Sequence, residues 1–150
     1  MASIPYEVVF FDLGNTLVVS GQGWLPDAQE AVAELHGLGV RLGIISNTGN
    51  LTRAQLLALL PPDFPVNLFE PNLIILSSEV QIEKPKVAIF DLAIQKSAVK
   101  PSSCLFCTET LLDTLAAQTA GMHAARFQPP PNSDIGDLGT MIKDLGDLLN

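Results

Sequence analysis

Basic residues are scarce in this chain. Only 8 of the 150 residues are Lys or Arg, against 16 Asp and Glu, which leaves a net charge of −8. They are scattered: Arg41, Arg53, Lys84, Lys86, Lys96, Lys100, Arg126 and Lys143. Without a basic stripe nothing would neutralise a phosphate backbone, so nucleic acid is not an expected partner. The acidity favours solubility and says little about role. Also missing is any apolar run near the ~20 residues of a membrane span, so no membrane partner is expected. The N-terminal MASIPYEVVFFDLG has no basic region of the secretory kind, and Glu7 and Asp12 interrupt its apolar stretch. The expected location is the cytoplasm.

Cysteine is equally sparse. Cys104 and Cys107 are the only two, spaced Cys-x-x-Cys. That spacing suits a redox pair or half of a zinc site. A zinc site needs a second ligand pair, and His36 and His123 lie far away in sequence. The two thiols read better as small apolar residues of a buried strand. There is no internal repeat and no low-complexity segment. A length of 150 residues with 47% apolar content fits one domain, spanning 1–150, with a sizeable core.

What is present is an alternation of strands and helices. Val8-Val9-Phe10-Phe11 is a short β-branched and aromatic run, the mark of a buried strand. Gly14 to Gly23 reads as a loop or small hairpin. Trp24, the only tryptophan, either lines a site entrance or packs beneath that loop. Pro26 stands where a helix starts, carrying Leu25, Ala28, Val32 and Leu35 and ended by Gly37 and Gly39. A strand follows at Leu42–Ile45. Then comes a helix capped by Thr48 or Asn50 and stopped at Leu60 by Pro61-Pro62. Leu73–Leu76 is a third strand. Pro85 opens a helix with Val87, Phe90 and Ile94 on one side, before a strand at Cys104–Cys107. Leu112, Leu115, Ala116 and Thr119 mark the next helix, closed by Gly121, and His123–Phe127 is a fifth strand. After Pro129-Pro130-Pro131, Ile135, Leu138, Ile142, Leu145 and Leu148 pattern a last helix. This alternation predicts an α/β protein with a doubly wound parallel sheet of about five strands, covered on both faces as three α/β/α layers.

Ligands of such sheets bind beyond the carboxyl ends of the strands. Polar residues interrupt the apolar pattern at those ends. The first strand runs into Asp12, the second into Ser46-Asn47-Thr48, and the fourth into Thr108-Glu109, with Asp113 one turn later. Lys84 precedes Pro85 and its helix. A carboxylate can act as nucleophile. A hydroxyl can hold the oxygens of a transferring group, and an ammonium can neutralise charge in the transition state. Further carboxylates can hold Mg²⁺.

Val8-Val9-Phe10-Phe11-Asp12-Leu13-Gly14-Asn15-Thr16-Leu17 resembles the first motif of the haloacid dehalogenase-like (HAD) hydrolases. Ile44-Ile45-Ser46-Asn47 is similar to the second motif. Ser77-Ser78-Glu79-Val80, followed by Glu83-Lys84-Pro85 and Ile89-Phe90, resembles the third. Leu105 to Met122, ending Ala120-Gly121-Met122, resembles the fourth. The resemblance covers nearly the whole chain, in order. It implies a Rossmann-like fold and a Mg²⁺-dependent phosphate-monoester hydrolase. Asp12 would be the nucleophile that becomes an aspartyl-phosphate, Ser46 would bind the phosphoryl group, and Lys84 would stabilise it. Asn47 and Gly14 would contribute to phosphate binding. Mg²⁺ would be held by Asp12, the backbone carbonyl of Gly14, and the acids Asp113 and Glu109.

Two positions depart from the family pattern. Gly14 replaces the second aspartate, which protonates the leaving group and activates water in related phosphatases; such help is worth on the order of 10²–10⁴ in rate. Thr108 replaces an aspartate of the fourth motif and is a poorer Mg²⁺ ligand. The alternative reading is therefore a catalytically impaired domain that acts as a binding or interaction module. About 30 residues separate Asp12 from Ser46, enough for a loop and a helix and not for a large cap domain. An open site implies a phosphorylated small molecule or a macromolecular substrate, or closure by a neighbouring subunit in an oligomer.

Overall fold

A computed structural model describes residues 5–13, 18–19, 23–24 and 28–126. Gly14 and the helix expected over residues 135–148 lie outside the described residues. At the centre is a parallel sheet of five strands: β1 (Val8–Phe11), β4 (Arg41–Ser46), β5 (Phe69–Leu76), β6 (Cys104–Thr108) and β7 (His123–Arg126). Their order is β5-β4-β1-β6-β7, so β1 lies in the middle. All four of its side chains are buried. The short strands β2 (Val18–Val19) and β3 (Gly23–Trp24) pair antiparallel as a hairpin.

Strand alternation divides the core into two layers. On one face Val9, Phe11, Leu42, Ile44, Leu105 and Cys107 pack under Ala28, Ala31, Val32 and Leu35 of α1 (Ala28–Gly37). On the other, Val8, Phe10, Ile45, Leu73, Cys104 and Phe106 meet Ile89, Phe90 and Ala93 of α4 (Val87–Ser97) and Ala116 and Ala117 of α5 (Leu111–Thr119). The three-layer α/β/α arrangement is therefore present as expected, with no large cap among the described residues. Cys104 and Cys107 lie in opposite layers, both buried and free, so they cannot act as a pair.

Some details differ from expectation. Helix α2 (Arg53–Leu59) is capped by Thr52, not Thr48 or Asn50. Thr52 accepts from the Gln55 N–H while the Gln55 side chain accepts from the Thr52 N–H, a reciprocal box that satisfies two otherwise unpaired donors. Thr48 is buried and engages the one-turn helix α3 (Ser77–Val80) instead. Its N–H donates to Ser77 Oγ at 2.8 Å, and its hydroxyl donates to Ser78 Oγ at 2.8 Å. The inner side of α4 carries Ile89, Phe90 and Ala93, with Val87 and Ile94 only partly covered. In α5 the two leucines of the expected set face out, Leu112 62% exposed and Leu115 49%, while Ala116 of that set faces in together with Asp113, Thr114 and Ala117. Small residues let α5 approach the sheet, and that approach brings Asp113 to the site.

Candidate active site

The parallel strands end on one side of the sheet, where their polar continuations meet. Asp12 stays on the ladder through its N–H, which donates to Cys107 O at 3.1 Å, while its Oδ1 accepts from the Leu13 N–H at 2.8 Å. Ser46 ends β4 and is buried. Lys84 reaches in from the loop before α4. Its Nζ lies 2.8 Å from Asp12 Oδ1 and 3.5 Å from Asp113 Oδ2. The ammonium also lies 5.5 Å from the centre of the Phe106 ring, a favourable cation–π distance. These residues border an open cavity of about 390 Å³ lined by Asp12, Ser46, Asn47, Lys84, Pro85, Thr110, Leu112 and Asp113.

The ion pairs are well shielded. The Lys84 side chain is 4% exposed and that of Asp113 9%, so little water screens them. Burial pushes the Asp113 carboxyl above the ordinary carboxylate range, and the nearby Lys84 opposes that shift. Burial likewise raises the thiols of Cys104 and Cys107, which keeps both protonated and unreactive.

Of the residues expected at the site, Asp12, Ser46, Asn47, Lys84 and Asp113 converge on the cavity. Glu109 does not line it; its carboxylate accepts from the Thr110 hydroxyl at 3.0 Å. Asn47 lines the cavity, but its side-chain amide bonds the backbone of Lys84. Sequence reasoning missed three features. Thr110 and Leu112 form part of the wall. The fully buried Thr108 directs its hydroxyl at Asp12 Oδ2, 3.5 Å away. The hydroxyls of Thr48, Ser77 and Ser78 tie the loop after β4 to the end of β5. Their only signal in the sequence was the density of Ser and Thr just after the two strands.

No group of three or more His, Cys, Asp and Glu among the described residues could hold a metal ion. A closed protein cage is thus absent there. Mg²⁺ commonly needs less, binding through one or two carboxylates while keeping several waters. Asp12 and Asp113, two carboxylates facing one open cavity, fit such a water-rich site.

A parallel α/β sheet thus gathers a carboxylate, a hydroxyl and a lysine at its carboxyl edge. The model of the haloacid dehalogenase-like hydrolases matches residues 23–121, a span that includes Ser46, Lys84 and Asp113 and begins after Asp12. The chain belongs to the haloacid dehalogenase-like hydrolase family. No curated protein sequence matches it. Among solved structures, an uncharacterized protein from Listeria monocytogenes serotype 4b is similar over 93% of this chain and 98% of its own, with a TM-score of 0.75 and 21% identity. A predicted phosphoglycolate phosphatase from Haemophilus somnus matches over 89% and 91%, with a TM-score of 0.68 and 16% identity. CbbY from Rhodobacter sphaeroides, in complex with xylulose-(1,5)bisphosphate, matches over 82% and 86%, with a TM-score of 0.69 and 14% identity. At these identities the likeness is one of fold.

Proposed function

We propose that the chain is a Mg²⁺-dependent phosphatase that hydrolyses phosphate monoesters through an aspartyl-phosphate at Asp12. The observation that carries this reading is the 2.8 Å contact of Lys84 with Asp12 at a cavity also bordered by Ser46 and Asp113. An Asp12 oxygen attacks phosphorus, and the ester P–O bond breaks as the new O–P bond forms. Ser46 donates to a phosphoryl oxygen, and Lys84 neutralises charge that develops on the group in flight. Water then hydrolyses the acyl phosphate, which releases inorganic phosphate and restores Asp12. Asp12 and Asp113 would hold Mg²⁺, which when bound would supply Lewis-acid stabilisation of the phosphoryl group.

Gly14 offers no side chain to protonate the departing alcohol, so solvent supplies that proton. Substrates with stable leaving groups are favoured for this reason. The open cavity accommodates a phosphorylated small molecule or a group on a macromolecule. A sugar bisphosphate in the CbbY complex and the phosphoglycolate phosphatase assignment of another neighbour support a phosphorylated small molecule.

The test is turnover of p-nitrophenyl phosphate with and without Mg²⁺, comparing the wild type with Asp12→Asn. Loss of at least roughly 10³-fold in kcat is expected, since the amide cannot serve as the nucleophile. Activity that survives the substitution would overturn the assignment of Asp12. Activity that survives chelation would overturn the role of Mg²⁺.

A further inference from the structure

Asn47 follows Ser46 on the cavity wall, where an amide reads first as a ligand for phosphate oxygens. Its side chain is committed elsewhere. Oδ1 accepts from the backbone N–H of Lys84 at 2.8 Å, and Nδ2 donates to the backbone carbonyl of the same residue at 3.0 Å. One amide thus satisfies both main-chain groups of a residue on another loop, much as a neighbouring strand would. Among the described residues the Lys84 backbone makes no other hydrogen bond. The loop around it is held mainly by its own contacts: the Lys86 N–H donates to Glu83 O at 3.0 Å, and the Gln81 amide donates to Ser78 O at 2.8 Å. The two Asn47 bonds are therefore the hydrogen-bonded tie between the root of Lys84 and the end of β4.

We infer that Asn47 is a positioning residue that acts through Lys84, and not a phosphate ligand. The inference rests on reading the cavity as a phosphoryl-transfer site. A lysine side chain is long and rotamer-rich, so the place of its ammonium depends on where its main chain is fixed. Two ion pairs hold the tip of Lys84, and two hydrogen bonds from Asn47 hold its root. With the root free, the tip can keep its attraction to Asp12 and Asp113 in several arrangements. Only some of these place the ammonium where charge develops in the transition state. Misplacement by about 1 Å costs on the order of 10²-fold in rate. A phosphate ligand at position 47 would instead contribute to binding, which is read in KM and in inhibition by product.

The experiment compares Asn47→Ala, Lys84→Ala and the double variant on p-nitrophenyl phosphate with Mg²⁺. Asn47→Ala should lower kcat roughly 10- to 100-fold, with KM and competitive inhibition by inorganic phosphate held within about twofold. The double variant should be no slower than Lys84→Ala, because Asn47 has nothing left to position. Multiplicative losses in the double variant, or a weakened phosphate inhibition with kcat retained, overturn the inference. A second measurement needs no turnover. Amine-reactive labelling read by mass spectrometry should find Lys84 protected in the wild type and labelled several-fold faster in Asn47→Ala, with the exposed Lys96 and Lys100 unchanged as internal standards. Equal protection of Lys84 in both proteins overturns the inference. A wild type that turns over no phosphate ester defeats the functional reading alone, and the labelling result then decides whether Asn47 holds Lys84.

Discussion

Asp113 illustrates how one residue is placed against its own solvation. Its carboxyl lies on the inner side of α5, nearly out of contact with water, beside Lys84. Burial raises its pKa above the ordinary carboxylate value and Lys84 only partly offsets this, so the folded chain favours the protonated form more than the unfolded chain does. For a group raised in this way, the stabilising contribution is complete below the unfolded pKa of about 3.9 and is lost as pH climbs through the folded value. As pH rises from about 4 toward 7, Asp113 therefore contributes progressively less to stability. Metal-free Asp113→Asn should melt at a higher temperature than the wild type at pH 7, and the gap should close as pH falls below about 4. Calorimetry at the two pH values checks this, and a less stable variant at pH 7 would contradict it. Asp12 and Ser46 were legible in the sequence because each ends the apolar run of a strand, and Lys84 because it directly precedes Pro85 and the helix that follows. The amide of Asn47 was not, because the sequence cannot show that its partner is the main chain of Lys84.

At the scale of elements, strand identity was legible from β-branched and aromatic runs, and the two-layer core follows from their alternation. The facing of α5 was not legible. Leu112, Leu115, Ala116 and Thr119 have good helical spacing, yet close approach to the sheet selects Ala116 and Ala117, and the leucines stay outside. Gly43 in β4 is a second case. Glycine inside a strand ordinarily weakens it, but here it sits opposite Phe10 in the parallel register. A Cβ at position 43 would fall 2.6 Å from two carbons of the Phe10 ring and 2.8 Å from the Leu73 carbonyl oxygen. The ring is fully buried and the carbonyl belongs to the neighbouring strand, so neither can yield cheaply. Gly43→Ala should destabilise the fold by about 1–3 kcal/mol, the usual cost of overpacking a core. Urea unfolding measures the difference, and a cost near zero would show that the sheet relaxes around the methyl group.

Among the described residues β5 ends one side of the sheet, and an edge strand offers unpaired main-chain groups to any other chain. Arg53 covers part of that edge. Its guanidinium donates to Pro71 O at 3.1 Å and to Ile74 O at 2.7 Å, and it is held in place by a 2.7 Å contact with Glu79. Hydrogen bonding to Arg53 correspondingly holds the Glu79 carboxyl below its ordinary pKa. Pro71 adds a residue with no N–H to donate. The ion pair itself is about one-third exposed and contributes little to stability. Its effect lies in occupying the carbonyls that a second strand would need. Arg53→Ala should therefore leave the melting temperature nearly unchanged while increasing self-association, seen as added dimer or larger species in sedimentation velocity at rising concentration. The substitution removes one positive charge, so the net charge moves from −8 to −9 and mutual repulsion increases. Association that grows against this repulsion must come from the uncovered strand edge. A variant that remains as monodisperse as the wild type would show that the edge is protected by other means.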